Sequence, residues 1–193
     1  MVDCERFKRD TRLTDENFTF FSLAYLTHKK GFDILIRAFA QAFAGCENVI
    51  LKIGGDGAEK ETLKNLCKEL KLDAQVVFLG GLSRDQVVDE MNACQSFVLA
   101  SRFETFGVVF IEALACGKPI IVPNIDGPKE IVNEDNGLVF EKENIDDLTS
   151  KLLLMKDQYV LYNPRQIKEH CYLKYDRHPV SQTVIDVYKG FLL

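Results

Sequence analysis

Six short apolar runs alternate with helix-like stretches along this chain, and that alternation restricts its fold more than any other feature. The runs fall at 18–26, 49–53, 76–79, 96–100, 119–122 and 138–140. Between them, apolar residues recur at helical spacing: Phe32, Leu35, Ile36, Phe39 and Ala40, then Leu63, Leu66, Cys67 and Leu70 within 58–71, then 84–93 and 106–116. The runs are brief, rich in Val, Ile and Phe, and apolar on both faces. A strand reads this way when helices cover it from both sides. The expected fold is α/β: a Rossmann-like parallel sheet of about six strands with helices on both faces. Ser83, with Gln86 three residues on, marks one helix start as a capping box, and Gly117 marks the stop of the helix before it. A short helix is expected from Asp126 to Val132, and helices near 144–156, 164–175 and 180–191 close the chain. Residues 1–16 read as a lead-in, and 160–193 as a C-terminal helical segment.

A chain of 193 residues suits one domain, or one domain with an extension. Its net charge of -5 argues against broad attraction to nucleic acid. The cysteines Cys4, Cys46, Cys67, Cys94, Cys116 and Cys171 form no C-x-x-C pair, so neither a zinc site nor a redox motif is suggested, and reduced, mostly buried thiols are expected. No apolar run reaches the roughly 18 residues of a membrane span. The longest is broken by Glu112, and MVDCERFKRD lacks the apolar core of a signal peptide. A cytoplasmic protein is the expectation.

In parallel sheets, ligands bind beyond the carboxyl ends of the strands. Four loops should gather there: 27–31, 54–57, 80–83 and 101–107. The last leads into V-V-F-I-E-A-L-A, in which Glu112 stands among apolar neighbours. Such a carboxylate needs a partner. It either turns out at a helix edge or accepts hydrogen bonds from a ligand, and the residue alone leaves both open. Its surroundings favour a ligand. Phe106-Gly107 lies where a helix begins, and free N–H groups there attract an anion. Gly107 lets a ligand approach the backbone, and Glu104 lies just before it. A phosphate flanked by hydroxyl-bearing groups would fit, as in a nucleotide sugar.

The segment E-T-F-G-V-V-F-I-E-A-L-A-C-G-K-P-I-I-V, with seven residues between Glu104 and Glu112, closely resembles the donor-site motif of retaining glycosyltransferases of family 4. K-K-G-F-D-I-L-I-R-A-F, L-K-I-G-G-D-G, V-V-F-L-G, D-G-P-K-E-I-V and N-G-L-V-F resemble further family motifs in the family's order, and Val2 to Phe7 resembles the stretch that opens the family's C-terminal half. The resemblance covers nearly the whole chain. It implies the C-terminal, donor-binding half of a GT-B fold and transfer of a sugar, with retention, from a UDP-, GDP- or ADP-linked donor. By that resemblance Glu112 holds the ribose hydroxyls and Glu104 the donor sugar. The amides of Phe106, Gly107 and Val108 meet the sugar and diphosphate, and Lys30 contacts the diphosphate. Leu79, Gly80, Leu82 and Ser83 lie beside the base, and Gly55 sits in a glycine-rich turn at the same cleft. Catalysis falls to Glu104 and Lys30.

No Asp-x-Asp motif appears, so no metal cofactor is expected. Two positions depart from the family. Tyr25 stands where an Arg usually clamps phosphate, leaving that role weakened or passed to Lys29, His28 or Arg102. Asp126 replaces a glycine and is expected to point away or to meet the acceptor. The acceptor half is absent from this sequence, so the chain is expected to bind nucleotide weakly and to transfer nothing alone, its Met1 being the start of a cut-out piece. The acceptor, a saccharide or lipid, belongs with that other half, and the whole enzyme is expected in polysaccharide or glycolipid synthesis, with peripheral contact to the cytoplasmic membrane face. Three other readings compete. A glycosidase would use Glu104 and Glu112 as acid and nucleophile. A dinucleotide dehydrogenase would need a third glycine where Lys60 stands. A non-catalytic module would keep the nucleotide site alone.

Overall fold

The computed structural model describes residues 3–7 and 17–190. The expected lead-in therefore lies mostly outside the described residues, apart from a 3-10 turn at Cys4–Phe7. Six strands form one parallel sheet: β1 (Phe18–Leu23), β2 (Val49–Gly54), β3 (Val76–Gly80), β4 (Ser96–Val98), β5 (Ile120–Pro123) and β6 (Gly137–Phe140). Their order is β3-β2-β1-β4-β5-β6. The order reverses direction between β1 and β4, which opens a crevice at the carboxyl ends of those two strands.

Seven helices accompany the sheet among the described residues: α1 (Phe32–Phe43), α2 (Lys60–Glu69), α3 (Arg84–Ala93), α4 (Val108–Ala115), α5 (Ile145–Gln158), α6 (Pro164–Tyr175) and α7 (Arg177–Gly190). Consecutive residues of β1 show why the strands are apolar throughout. Phe20 points to one face and stacks on Phe43 of α1, with ring centroids 5.8 Å apart. Phe21 points to the other and meets Phe97 at 5.9 Å, which in turn meets Phe110 of α4 at 5.7 Å. Both faces of the sheet are thus closed by aromatic contacts, and Phe20 and Phe21 are fully buried.

The boundaries differ from the sequence reading for local reasons. The first run stops as a strand at Leu23 because the chain peels away to grip the β2–α2 turn: Ala24 N–H donates to Gly54 O and Leu26 N–H to Asp56 O. Helix α4 begins at Val108, two residues later than its apolar pattern, because Gly107 is left-handed (φ 81°) and caps it. The expected helix at 126–132 is only a 3-10 turn, Pro128–Glu130. Helix α7 starts at Arg177, earlier than expected, because the Asp176 carboxylate accepts the His178 N–H at 2.9 Å. The capping box of α3 is present as read, with Gln86 N–H donating to Ser83 Oγ and Ser83 N–H to Gln86 Oε1.

Candidate functional site

The loops at the carboxyl rim are tied together by a few specific contacts. A 3-10 turn, His28–Lys30, ends in left-handed Gly31. A Cβ on Gly31 would lie 1.9 Å from Ala100 O, so the glycine allows this turn to sit on the end of β4. Arg102 then locks the turn to the following loop. Its backbone N–H donates to Lys29 O at 2.8 Å and its Nη1 to His28 O at 2.7 Å. Its guanidinium also makes two bonds to the Asp33 carboxylate, at 2.8 and 2.7 Å, and one to Glu143 at 2.9 Å. These bonds hold the Asp33 carboxyl below its usual range and raise the Arg102 guanidinium further. With its donors so occupied, Arg102 serves as a strut between loops.

The strut brings Lys30 to Glu104. Lys30 Nζ donates to Glu104 Oε2 at 2.7 Å, with both side chains mostly buried. Glu104 Oε1 accepts the Thr105 N–H at 3.2 Å. Gly107 follows at the mouth of α4, where the first N–H groups lack carbonyl partners within the helix. A Cβ on Gly107 would come within 2.5 Å of the Phe110 ring. The next loop closes on this one at Gly127, where a Cβ would lie 2.5 Å from Thr105 O.

Glu112 lies one turn into α4 and its side chain is only 5% exposed. It is neither free nor turned out at a helix edge. Arg84, at the first position of α3, donates from Nη1 to Glu112 Oε1 at 2.7 Å. Sequence reasoning missed Arg84. The two residues are 28 positions apart on different helices, and the only signal was a cation placed directly after the Leu79–Ser83 edge. At that edge Gly80 is left-handed (φ 73°), Cβ atoms on Gly80 and Gly81 would meet nothing within 4 Å, and Leu79 and Leu82 are half-buried. The Ser83 hydroxyl is engaged in the cap of α3.

Gly55 is placed differently. Its N–H donates to Gly80 O at 2.7 Å, and a Cβ there would lie 1.9 Å from Ala24 O. In the same turn Lys60 Nζ donates to Asp56 Oδ2 at 2.9 Å, which puts a carboxylate where a dinucleotide's phosphates would need open N–H groups. Tyr25 is 76% exposed. Asp126 points outward, 91% exposed, and pairs with Lys129 at 2.7 Å, an interaction that lowers its pKa. With Arg102, Phe103, Glu104, Asn124, Lys129 and Lys142 it borders an open cleft of about 360 Å³. Burial pushes the thiols of Cys67, Cys94 and Cys116 up to about 12, and Cys46 is exposed. Among the described residues no group of His, Cys, Asp or Glu is placed to hold a metal ion, and no helix is long and apolar enough to cross a membrane.

The fold is an α/β domain whose parallel sheet has its switch point between β1 and β4, and Glu104 and Glu112 each pair with a cation from another element. The chain belongs to the glycosyl transferases group 1 family, whose model matches residues 3–170. It is 30% identical over 189 residues to an uncharacterized glycosyltransferase of Methanocaldococcus jannaschii, covering 95% of this chain and 47% of that protein. It is 32% identical over 139 residues to a GDP-mannose-dependent monoacylated alpha-(1-6)-phosphatidylinositol monomannoside mannosyltransferase of Corynebacterium glutamicum, covering 68% of this chain and 36% of that protein. The chain thus spans about half the length, or less, of the curated relatives it matches. Among solved structures, Anabaena HepE in complex with UDP and glucose superposes with a TM-score of 0.84 at 23% identity, over 98% of this chain and 55% of that one. The C-terminal domain of a group 1 family protein, LpcC, from Francisella tularensis superposes at 0.82 with 19% identity, over 92% of this chain and all of that one. These likenesses bear out the expected Rossmann-like sheet and its match to a GT-B C-terminal domain.

Proposed function

We propose that this chain is the donor-binding half of a retaining glycosyltransferase of family 4, one that moves a sugar from a nucleotide-diphosphate sugar to an acceptor. One observation carries the reading: Glu104 and Glu112 flank the Gly107 helix start in the chain, each held by a cation from another element. Glycosyl transfer leaves negative charge on the departing diphosphate, and pre-placed donors lower that barrier. Lys30 and the N–H groups of Phe106, Gly107 and Val108 are the donors in place. Glu104 orients the donor sugar, and its bond to Lys30 keeps the cation at the site until a phosphate shares it. Glu112 takes the ribose, with Leu79, Gly80, Leu82 and Ser83 beside the base. Gly55 shapes the cleft by letting its turn close. Because each carboxylate has its own cation, the pair suits charge placement better than the acid and nucleophile roles of a glycosidase. No metal cofactor is required on this reading.

The half-length span relative to relatives supports a second, acceptor-binding half elsewhere. The isolated chain then transfers nothing. The whole enzyme works in the cytoplasm or against the cytoplasmic membrane face, on a saccharide or lipid acceptor in polysaccharide or glycolipid synthesis. Tyr25 favours one other reading, a nucleotide-binding module without transfer, because a phenol cannot neutralise a diphosphate. Calorimetric titration with UDP, GDP and ADP and their glucose or mannose conjugates tests binding, and a transfer assay on the full-length protein tests catalysis. The expected result is selective binding of one nucleotide class and transfer that is abolished in Lys30→Ala and Glu104→Ala. Binding without any transfer by the full-length protein would leave the module reading. No binding would sink both.

A further inference from the structure

Arg84 joins two parts of the rim that lie on separate elements. It opens α3 directly after the Leu79–Ser83 edge, and its guanidinium crosses to α4 to reach Glu112. The two ends of this pair are unlike: the Arg84 side chain is 57% exposed and that of Glu112 is 5% exposed. The guanidinium also lies over the Phe7 ring, 5.8 Å from its centroid, a contact that restricts its range. A guanidinium offers five N–H donors in a rigid plane, and the bond to Oε1 uses one of them. Among the described residues Glu112 Oε2 has no hydrogen-bond partner. The buried unpaired side-chain atoms are Ser22 Oγ and Ser101 Oγ, so Oε2 is not sealed in. Glu112 Oε2 therefore keeps some exposure to solvent.

A carboxylate this buried is held by its partner as much as by its own helix. With Oε1 held by Arg84, rotation of the carboxylate is restricted, and Oε2 is presented over a narrower range of directions. A ribose cis-diol has two adjacent hydroxyls whose donors need acceptors in a defined plane. We propose that Arg84 is a positioning residue of the nucleoside subsite, setting the Glu112 carboxylate so that Oε2 meets the ribose cis-diol while Oε1 stays bonded to the guanidinium. The proposal rests on the ribose role given to Glu112 above and goes beyond it. A carboxylate retains acceptor capacity on each oxygen, so the guanidinium and the diol can bind together. Arg84 therefore acts with the ligand and does not compete with it.

The test compares affinities for UDP, GDP and ADP with those for their 2′,3′-dideoxy counterparts, in the full-length protein, for wild type, Glu112→Ala, Arg84→Ala and Arg84→Lys. Each variant is first matched to wild type by circular dichroism. A charge-assisted hydrogen bond is worth about tenfold or more in binding. Wild type should prefer the ribonucleotide by about that factor. Glu112→Ala should lose the preference, Arg84→Ala should lose most of it, and Arg84→Lys should recover part. If Arg84 only neutralised a buried charge, Arg84→Ala would lower stability while the ribose preference survived. A preserved preference in Arg84→Ala, lost in Glu112→Ala, overturns the role of Arg84 and leaves that of Glu112 standing. A preference preserved in Glu112→Ala, or absent from wild type, overturns the ribose reading and the proposal with it.

Discussion

The β2–α2 turn at 54–57 and the β4–α4 loop at 101–107 both carry glycine and look ligand-ready, yet the fold uses them oppositely. In the first, the Gly55 N–H is bonded to Gly80 O, the carbonyls of Gly54 and Asp56 are bonded by the strand exit at Ala24 and Leu26, and Asp56 is paired with Lys60. That turn is closed by its neighbours, the end of β3 and the exit of β1. In the second, Gly107 starts a helix whose leading N–H groups lack carbonyl partners within it, and Glu104 faces a cleft with a cation at hand. The lesson is that a glycine serves either a backbone crossing or a ligand, and hydrogen-bond accounting tells the two apart.

The largest effect should separate them. At Gly55 an alanine meets two penalties: φ is 120°, and its Cβ would overlap Ala24 O at 1.9 Å. Backbone cannot yield cheaply, so Gly55→Ala should cost about 3 kcal/mol or more in unfolding free energy, read by urea titration. Where that variant is still folded, its nucleotide affinity should fall less than that of Gly107→Ala. At Gly107, φ is 81° and the obstacle is the Phe110 ring at 2.5 Å, a side chain that can shift. Gly107→Ala should cost about 2 kcal/mol but lower nucleotide-diphosphate affinity tenfold or more, because the helix start moves. Equal losses of stability and of binding in both variants would erase the distinction.

The open loop is shaped by Arg102, so removing that strut tests how far its geometry is imposed. Arg102→Gln should cost about 2 kcal/mol and weaken nucleotide binding, since Lys30 loses its placement. The effect should depend on pH. The Arg102 hydrogen bonds hold the folded Asp33 carboxyl below its ordinary value of 3.8. Its contribution is therefore present above about pH 4 and lost as pH falls through the lower folded value. Arg102→Gln should flatten that acid limb of the stability curve, and an unchanged limb would assign the acid sensitivity elsewhere.

This contrast also shows what the sequence could carry. Alternating apolar runs gave the sheet and its helices because burial on both faces leaves a mark on every strand residue, as Phe20 and Phe21 show. Ser83 and Gln86 were legible as a cap because their bonds are local. The pairs that shape the rim were not legible. Arg84 meets Glu112 across 28 positions and Arg102 meets Asp33 across 69, distances over which only tertiary packing decides which charges touch. The closure of the glycine turn was hidden for the same reason, since its partners are backbone groups of β1's exit and of β3.

The smallest effect probes the residue where the two loops have most to do with each other. Tyr25 rides on the strand exit that grips the closed turn, through Ala24 and Leu26 on either side, and its ring is largely in solvent. The closed turn therefore holds position 25 at the rim, while the open loop holds Lys30 through Arg102 and Glu104. Tyr25→Arg should leave stability within about 0.5 kcal/mol, because the site is exposed. It should raise affinity for a nucleoside diphosphate about tenfold at low salt, through a charge-assisted bond to phosphate, and the gain should shrink as salt screens it. Affinity for the bare nucleoside should not change. A gain for nucleoside as well as diphosphate would show that the new side chain stacks on the base, and no gain at all would place the phosphates nearer Lys30 and α4, beyond the reach of position 25.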